Sequence, residues 1–368
     1  MAKELSDIAQ ELKDSNKNVQ LIYAFNGTGK TRLSKEFAKL FQAEEGGLTR
    51  DKILYYNAFT EDLFYWDNDL DSNQDFKLKI QPNSFISWII QEQGQDQNII
   101  SNFQHYTDDK LNPIFDLANN QVLFTFQRGN EGEHEQVKLS KGEESNFIWS
   151  VFYTLLELVI SERKIAEPDE RSTRDFDNLE YVFIDDPVSS LDENHLMEVA
   201  SNLAGLIKES NLEQLGLRFV ITTHNPLFYN VLHNELGNAD KYRLEKLEDG
   251  TYLMPNQRKD SPFAYHLFLC EQITQAIKDN NIQKFHFNFL RNLYEKTSTF
   301  LGYKDWKELF PQDADDSVKN AYKKRIVDFS SHSKHAAEEV AELNNQHKQM
   351  LIYLFEDFIE RYHFYKKE

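Results

Sequence analysis

Between Val19 and Gln42 the chain spells three local structures in a row. An apolar run, Val19-Gln-Leu-Ile-Tyr-Ala-Phe25, is followed by a glycine turn, Asn26-Gly-Thr-Gly-Lys-Thr31, and then by a helical pattern, RLSKEFAKLFQ. In a strand, glycine turn and helix of this kind, backbone N–H groups converge on a phosphate, with the positive end of the helix behind them. A lysine at position 30 reaches the β- and γ-phosphates, and a threonine at 31 offers its hydroxyl to Mg²⁺. Asn26, Gly27, Thr28, Gly29, Lys30 and Thr31 are therefore read as a nucleotide-binding loop. The strict pattern asks for glycine where Ala24 stands. Alanine is tolerated there if its φ is negative. A chance glycine turn is the competing reading.

Four further segments bear on that choice. Tyr181-Val-Phe-Ile-Asp-Asp186 is an apolar strand ending in two carboxylates. Asp185 is placed to hold Mg²⁺, and Asp186 stands where a glutamate ordinarily positions the attacking water. Pro187-Val-Ser-Ser-Leu-Asp192 follows and looks like the D-loop of ABC-type ATPases. Phe219-Val-Ile-Thr-Thr-His224 is a second buried strand, ending in a histidine suited to a γ-phosphate. Leu139-Ser-Lys-Gly-Glu143 opens a long apolar helix and resembles the ABC signature loop, which makes Ser140 and Gly142 nucleotide-binding candidates. Each has a plainer reading: a helix cap for Asp185, Asp192 or Ser140, and a satisfied loop histidine for His224. The order of the five segments favours an α/β fold, an ABC-type P-loop ATPase head. Because a signature loop serves the nucleotide of a second head, head-to-tail homo-oligomers are expected. The stretch from loop to signature is only about 110 residues and lacks sustained heptads and CxxC. A long coiled-coil arm with a zinc hook is not expected.

Charge divides the chain. The net charge is −20, yet residues 257–368 hold 17 basic and 17 acidic residues, so the whole excess lies before them. The expected boundary places a nucleotide-binding domain at 1–256 and a mostly α-helical domain at 257–368, joined by a polar linker at 256–262. Glu162–Asn178 reads as a charged surface loop. One cysteine, Cys270, excludes a disulfide framework and a cysteine-based zinc site. The longest nearly apolar run, Phe147–Ile160, is too short to span a bilayer, and the first residues lack the pattern of a signal peptide. No membrane and a cytoplasmic location are expected. The acidic balance speaks against a broadly basic nucleic-acid face.

Two helical patterns follow the boundary, Phe263–Asn280 and Phe285–Leu301. In the second, Arg291 and Glu295 lie four apart and share a face. Further on stands Arg325-Ile-Val-Asp-Phe-Ser-Ser-His332-Ser-Lys-His335. An arginine, a glutamate and a histidine together could cleave RNA without a metal. The 2′-OH attacks its own phosphate, one group takes that proton, another protonates the leaving 5′-oxygen, and the guanidinium steadies the phosphorane. On spacing alone, a surface salt bridge and a bystander histidine are the commoner explanation of these residues.

The segments QLIYAFNGTGKTRLS, ILYYNAFTEDLFYWDNDL, LKIQPNSF, SKGEESNFIWSVFYTLL, YVFIDDPVSSLDENHL, ITTHNPLFYNVL, FLRNLYEKTSTFLGY and DFSSHSK resemble the bacterial anticodon nucleases over nearly the whole chain. The aromatic block Tyr55–Leu70 is the most specific of them. The resemblance implies an ABC-type ATPase head joined to a ribonuclease domain that cuts tRNA-Lys on the 5′ side of the wobble base. It implies Arg291, Glu295 and His332 as catalytic residues, with His335 as the substitute where the spacing after Glu295 is longer than the family's. Asp260, in the linker, is the implied substrate-recognition residue. ATP or GTP in the head with Mg²⁺ held by Thr31 and Asp185, dTTP as a regulator, and a type I restriction-modification complex as a partner in anti-phage defence are implied as well. The alternative is a DNA-sensing or DNA-repair ABC-type ATPase whose C-terminal part is a scaffold or attacks another nucleic acid.

Overall fold

The computed structural model describes residues 2–41, 52–57, 64–68, 76–80, 88–128, 133–187, 193–247, 249–257, 265–330 and 343–363. They form two compact units, Met1–Phe263 and Ala264–Glu368. Of the linker read at 256–262, residues 258–262 lie outside the described residues.

In the first unit, α1 (Leu5–Asp14) opens on a capping box between Glu4 and Asp7. It buries Leu5, Ile8, Ala9 and Leu12, an i, i+3, i+4, i+7 stripe. Then come β1 (Val19–Tyr23), α2 (Lys30–Lys39), β2 (Ile53–Asn57), β3 (Phe64–Asn68), β4 (Phe76–Ile80), α3 (Asp96–His105), β5 (Leu111–Asp116), β6 (Gln121–Arg128), β7 (Glu133–Gln136), α4 (Lys141–Lys164), β8 (Tyr181–Asp185), α5 (Glu193–Leu212), β9 (Arg218–Thr223), α6 (Pro226–Glu235), β10 (Asp240–Arg243), β11 (Glu245–Lys246) and β12 (Tyr252–Leu253).

Five strands make a parallel sheet in the order β10-β1-β9-β8-β2. β1 and β8 are buried along their full length, as strands covered on both faces must be. Ile22, Phe183 and Val220 pack against α1 and α2, and Tyr23, on the alternate face, meets Tyr229 of α6 edge to face. The fold is thus α/β, with the glycine turn, the paired carboxylates and His224 all at the C-terminal ends of neighbouring strands.

A second, antiparallel sheet (β3-β4-β6-β5, with β7 on β6) was not expected from the sequence. Helix α4 explains why the two sheets belong to one unit. Phe147 packs on Phe64 and Phe124 of the antiparallel sheet, while Trp149 and Phe152 pack on Tyr56 of the parallel one. A helix apolar on every side is one covered on every side. That accounts for the run Phe147–Ile160 without a membrane, and no described helix is long and apolar enough to cross one.

The charged stretch at 162–178 corrects its reading as a simple surface loop. Its first residues belong to α4. Glu162 accepts from the Ser172 N–H and hydroxyl, and Arg163 donates to the carbonyls of Phe176, Asp177, Leu179 and Leu215, so the segment is pinned down by its own charges.

The second unit is helical: α7 (Tyr265–Lys278), α8 (Lys284–Leu301), α9 (Asp316–Ser330) and α10 (Asn345–Arg361), with a 3₁₀ turn at Trp306–Leu309. Tyr294 of α8 is fully buried against Trp306, Phe310 and Phe358, and its hydroxyl donates to the Leu354 carbonyl of α10 at 2.9 Å. Gly302 ends α8 at φ 79°, the left-handed conformation of a helix stop.

Candidate functional site

The phosphate loop is built by backbone conformation. Gly27 and Gly29 both have left-handed φ, at 78° and 115°. At Gly29 a side chain is excluded twice, because a Cβ would also stand 3.2 Å from the Tyr252 hydroxyl of β12. Tyr252 is buried behind the loop and takes a hydrogen bond from Arg32. Ala24, where the strict pattern has glycine, is fully buried and extends the ladder, its N–H donating to the Thr223 carbonyl at 2.9 Å. It is not among the residues of positive φ, so nothing at this position demands glycine. Thr28 N–H closes the turn on the Phe25 carbonyl. Lys30 is the first residue of α2 and turns back over the loop. Its Nζ lies 3.3 Å from the Ala24 carbonyl, 3.4 Å from that of Phe25 and 3.3 Å from Asn26 Oδ1.

β9 runs between β1 and β8, and this brings three distant segments together. Asp185 is 1% exposed, and its Oδ1 accepts from Thr222 Oγ1 of β9 at 2.6 Å. Its Oδ2 is buried without a hydrogen-bond partner. Burial pushes the Asp185 carboxyl above the usual range, against the lowering effects of Thr222, Thr31 and Lys30. An orphaned carboxylate oxygen near a threonine hydroxyl is a donor set for a hard divalent cation, so Asp185 and Thr31 fit Mg²⁺. The reading of Asp185 as a helix cap does not hold, since it ends a buried strand.

Asp186 behaves in the opposite way. It adopts φ 53°, unusual for a residue with a side chain, while its N–H donates to the Thr222 carbonyl. Its Oδ2 meets His224 Nδ1 at 2.6 Å and Lys30 Nζ at 3.4 Å, and its Oδ1 accepts from the His224 N–H at 3.2 Å. Burial alone would raise this carboxyl, but the His224 hydrogen bond and the Lys30 charge outweigh it and hold it below the usual range. Adjacent carboxyls are thus driven apart, an arrangement that assigns them different tasks. Sequence reasoning did not single out Thr222 or Tyr252, and it reached Tyr56 only as part of the aromatic block Tyr55–Leu70. The buried phenol of Tyr56 on β2 is raised far above its ordinary value by burial and then by the charge of Asp186. Thr222 sat in view two residues before His224; nothing local marks Tyr252.

At the signature segment, Ser140 caps α4. Its hydroxyl accepts from the Glu143 N–H, and Glu143 returns the bond to the Ser140 N–H at 2.7 Å. Gly142 lies in the first turn of the helix, and Lys141 pairs with the buried Glu144 at 2.9 Å. Residues 188–192 of the D-loop segment lie outside the described residues.

In the second unit, Arg291 Nε donates to Glu295 Oε1 at 2.7 Å. Leu290, Leu293 and Tyr294 anchor that stretch of α8 in the core, and the pair stands half-exposed on the flank of the helix. Phe287, one turn earlier, packs 4.9 Å from Phe329 in the last turn of α9. His332, His335 and Asp260 lie outside the described residues.

The chain has relatives. A family model described as an AAA domain matches residues 110–359. A protein described as an anticodon nuclease, from Escherichia coli, is 52% identical over 374 residues, covering 93% of this chain and 92% of its own length. Among solved structures, the SMC head domain from Thermotoga maritima matches with a TM-score of 0.30 at 12% identity, over 66% of this chain and 90% of that one. A SmcHead bound to the C-winged helix domain of ScpA matches with a TM-score of 0.29 at 15% identity, over 46% of this chain and 44% of that one.

Proposed function

The chain belongs to the anticodon nuclease family, and we propose that it is a nucleotide-regulated endoribonuclease that cuts tRNA-Lys in its anticodon loop, 5′ of the wobble base. The observation that carries this reading is the Arg291–Glu295 pair, a guanidinium and a carboxylate 2.7 Å apart on the flank of a helix whose other side is locked in the core. A planar guanidinium suits a phosphate, and a carboxylate beside it suits proton transfer. In the proposed step the 2′-hydroxyl loses its proton to a base and its oxygen attacks the adjacent phosphorus. The bond to the 5′-oxygen breaks, and that oxygen takes a proton from an acid. The ends are a 2′,3′-cyclic phosphate and a 5′-hydroxyl. Glu295 and His332 share the proton work, and Arg291 neutralises charge on the phosphorane. DNA, lacking the 2′-hydroxyl, is not a substrate for this step.

The first unit supplies control. Asn26–Thr31 hold the phosphates of ATP or GTP, and Thr31 and Asp185 hold Mg²⁺, which neutralises phosphate charge. Asp186 and His224 respond to the terminal phosphate. Ser140 and Gly142 serve the nucleotide of a second copy in a head-to-tail pair. We assign dTTP a regulatory role, Asp260 to substrate recognition, and a type I restriction-modification complex as the partner in cytoplasmic phage defence. The test is to sequence RNA 3′ ends after induction of the chain and of Arg291→Ala and His332→Ala. Cuts confined to the tRNA-Lys anticodon loop, absent in both variants, are expected. Uncut tRNA with DNA-stimulated hydrolysis would instead support a DNA-sensing ATPase.

A further inference from the structure

Three helices of the second unit meet at one ring. Phe329 of α9 packs 4.9 Å from Phe287 of α8 and 4.7 Å from the imidazole of His347 in the first turn of α10. Phe287 precedes Arg291 by one helical turn and Glu295 by two, on adjoining positions of α8. The His347 ring is therefore tethered, through a single intervening side chain, to the end of α8 from which the Arg291–Glu295 flank begins.

The local bonding of His347 assigns its ring nitrogens. The Asn344 N–H donates to Nδ1 at 3.4 Å, and the His347 N–H donates to Asn344 Oδ1 at 2.9 Å. A neutral imidazole that accepts at Nδ1 carries its proton on Nε2. His347 thus offers an N–H donor from a half-buried position fixed by a helix cap. His286 has the same bond, its Nδ1 accepting from the Gln283 N–H at 2.8 Å, but it is only 5% exposed and lies against the Phe285 ring. The cap geometry alone does not separate the two histidines; accessibility and the Phe329 contact do.

Taking Arg291 and Glu295 as the cleavage pair, we propose that His347 positions the RNA, its Nε2–H donating to a backbone phosphate oxygen of the loop that lies across the pair. Single-stranded RNA loops are held through such phosphate contacts as well as through their bases.

The experiment uses the full chain and 5′-labelled tRNA-Lys in single-turnover cleavage, with thermal melting alongside. His347→Asn places an amide oxygen at the Nδ1 position and keeps the cap, but has no donor at Nε2. His347→Gln restores a donor there. Both are expected to melt close to the unaltered chain. His347→Asn should cleave about tenfold to a hundredfold more slowly, the factor contributed by one hydrogen bond to a charged group. His347→Gln should recover to within about threefold. Unchanged cleavage by His347→Asn would reduce His347 to a cap, and His347→Gln as slow as His347→Asn would overturn the donor role. Normal cleavage by Arg291→Ala, measured in the same assay, would instead remove the cleavage pair itself.

Discussion

Asp186 and His224 are 38 residues apart in sequence, and their side chains meet at 2.6 Å. The meeting is a consequence of strand order. β9 pairs with both β1 and β8, so the loop that ends β9 lies between the glycine turn and the paired carboxylates. Lys30 and His224 then share one carboxylate oxygen.

That sharing predicts a pH dependence. The folded state lowers the Asp186 carboxyl. Its stabilising contribution is therefore fully present above the ordinary carboxylate value of about 4, and is lost as pH falls through the lowered folded value. Asp186→Asn should flatten this part of the stability curve and slow nucleotide hydrolysis at least about tenfold. Denaturant melts across the acid range, paired with phosphate release, measure both.

Asp185 should respond with the opposite sign. Burial raises its carboxyl, so ionisation at neutral pH works against the fold. Asp185→Asn keeps an oxygen for the Thr222 hydroxyl and removes the charge. The variant should melt higher than the unaltered chain at neutral pH, with the difference closing as pH falls through the raised folded value, and should lose Mg²⁺-dependent hydrolysis. A lower melting temperature at neutral pH would contradict the assignment.

The two loop glycines should not be equivalent. Gly29→Ala meets both the left-handed backbone and the Tyr252 hydroxyl, whereas Gly27→Ala meets only the backbone, with no atom within 4 Å of the new Cβ. The expected cost is about 1 kcal/mol at Gly27 and about 2–3 kcal/mol at Gly29. Urea unfolding separates the two.

Arg291→Ala should leave stability within about 0.5 kcal/mol, because a half-exposed i, i+4 pair contributes little. Ser140→Ala, which breaks the capping box at the start of α4, should cost about 1 kcal/mol. Equilibrium unfolding of both chains tests this ordering. A large stability loss at Arg291 would mark the pair as structural.

Several features were legible because their information is local. The glycine turn lies between its own strand and helix within a dozen residues, and Arg291 and Glu295 share a flank through helical periodicity alone. Ser140 was legible in both of its guises, and the cap is the one that the side chain makes within this chain. The antiparallel sheet was not expected although three of its four pairings, β3 with β4, β5 with β6 and β6 with β7, join consecutive strands; only β4 with β6 brings distant segments together. Helix α4 was legible as a long apolar helix, but an all-round apolar helix announces burial and not its neighbours.

The sequence by itself determined where a phosphate-binding turn, a carboxylate-ended strand and an Arg/Glu helix would form, since backbone φ, strand burial and the 3.6-residue repeat act over a few residues. Only the tertiary structure decided that Asp186 would be shared between Lys30 and His224 while Asp185 kept one oxygen unpaired. It also decided that Tyr252 would close the space beside Gly29 and that Phe329 would join His347 to the helix of Arg291. Those relationships depend on strand order and helix packing, which bring together groups separated by tens to hundreds of residues, and hydrogen bonding and burial then set the chemistry of each.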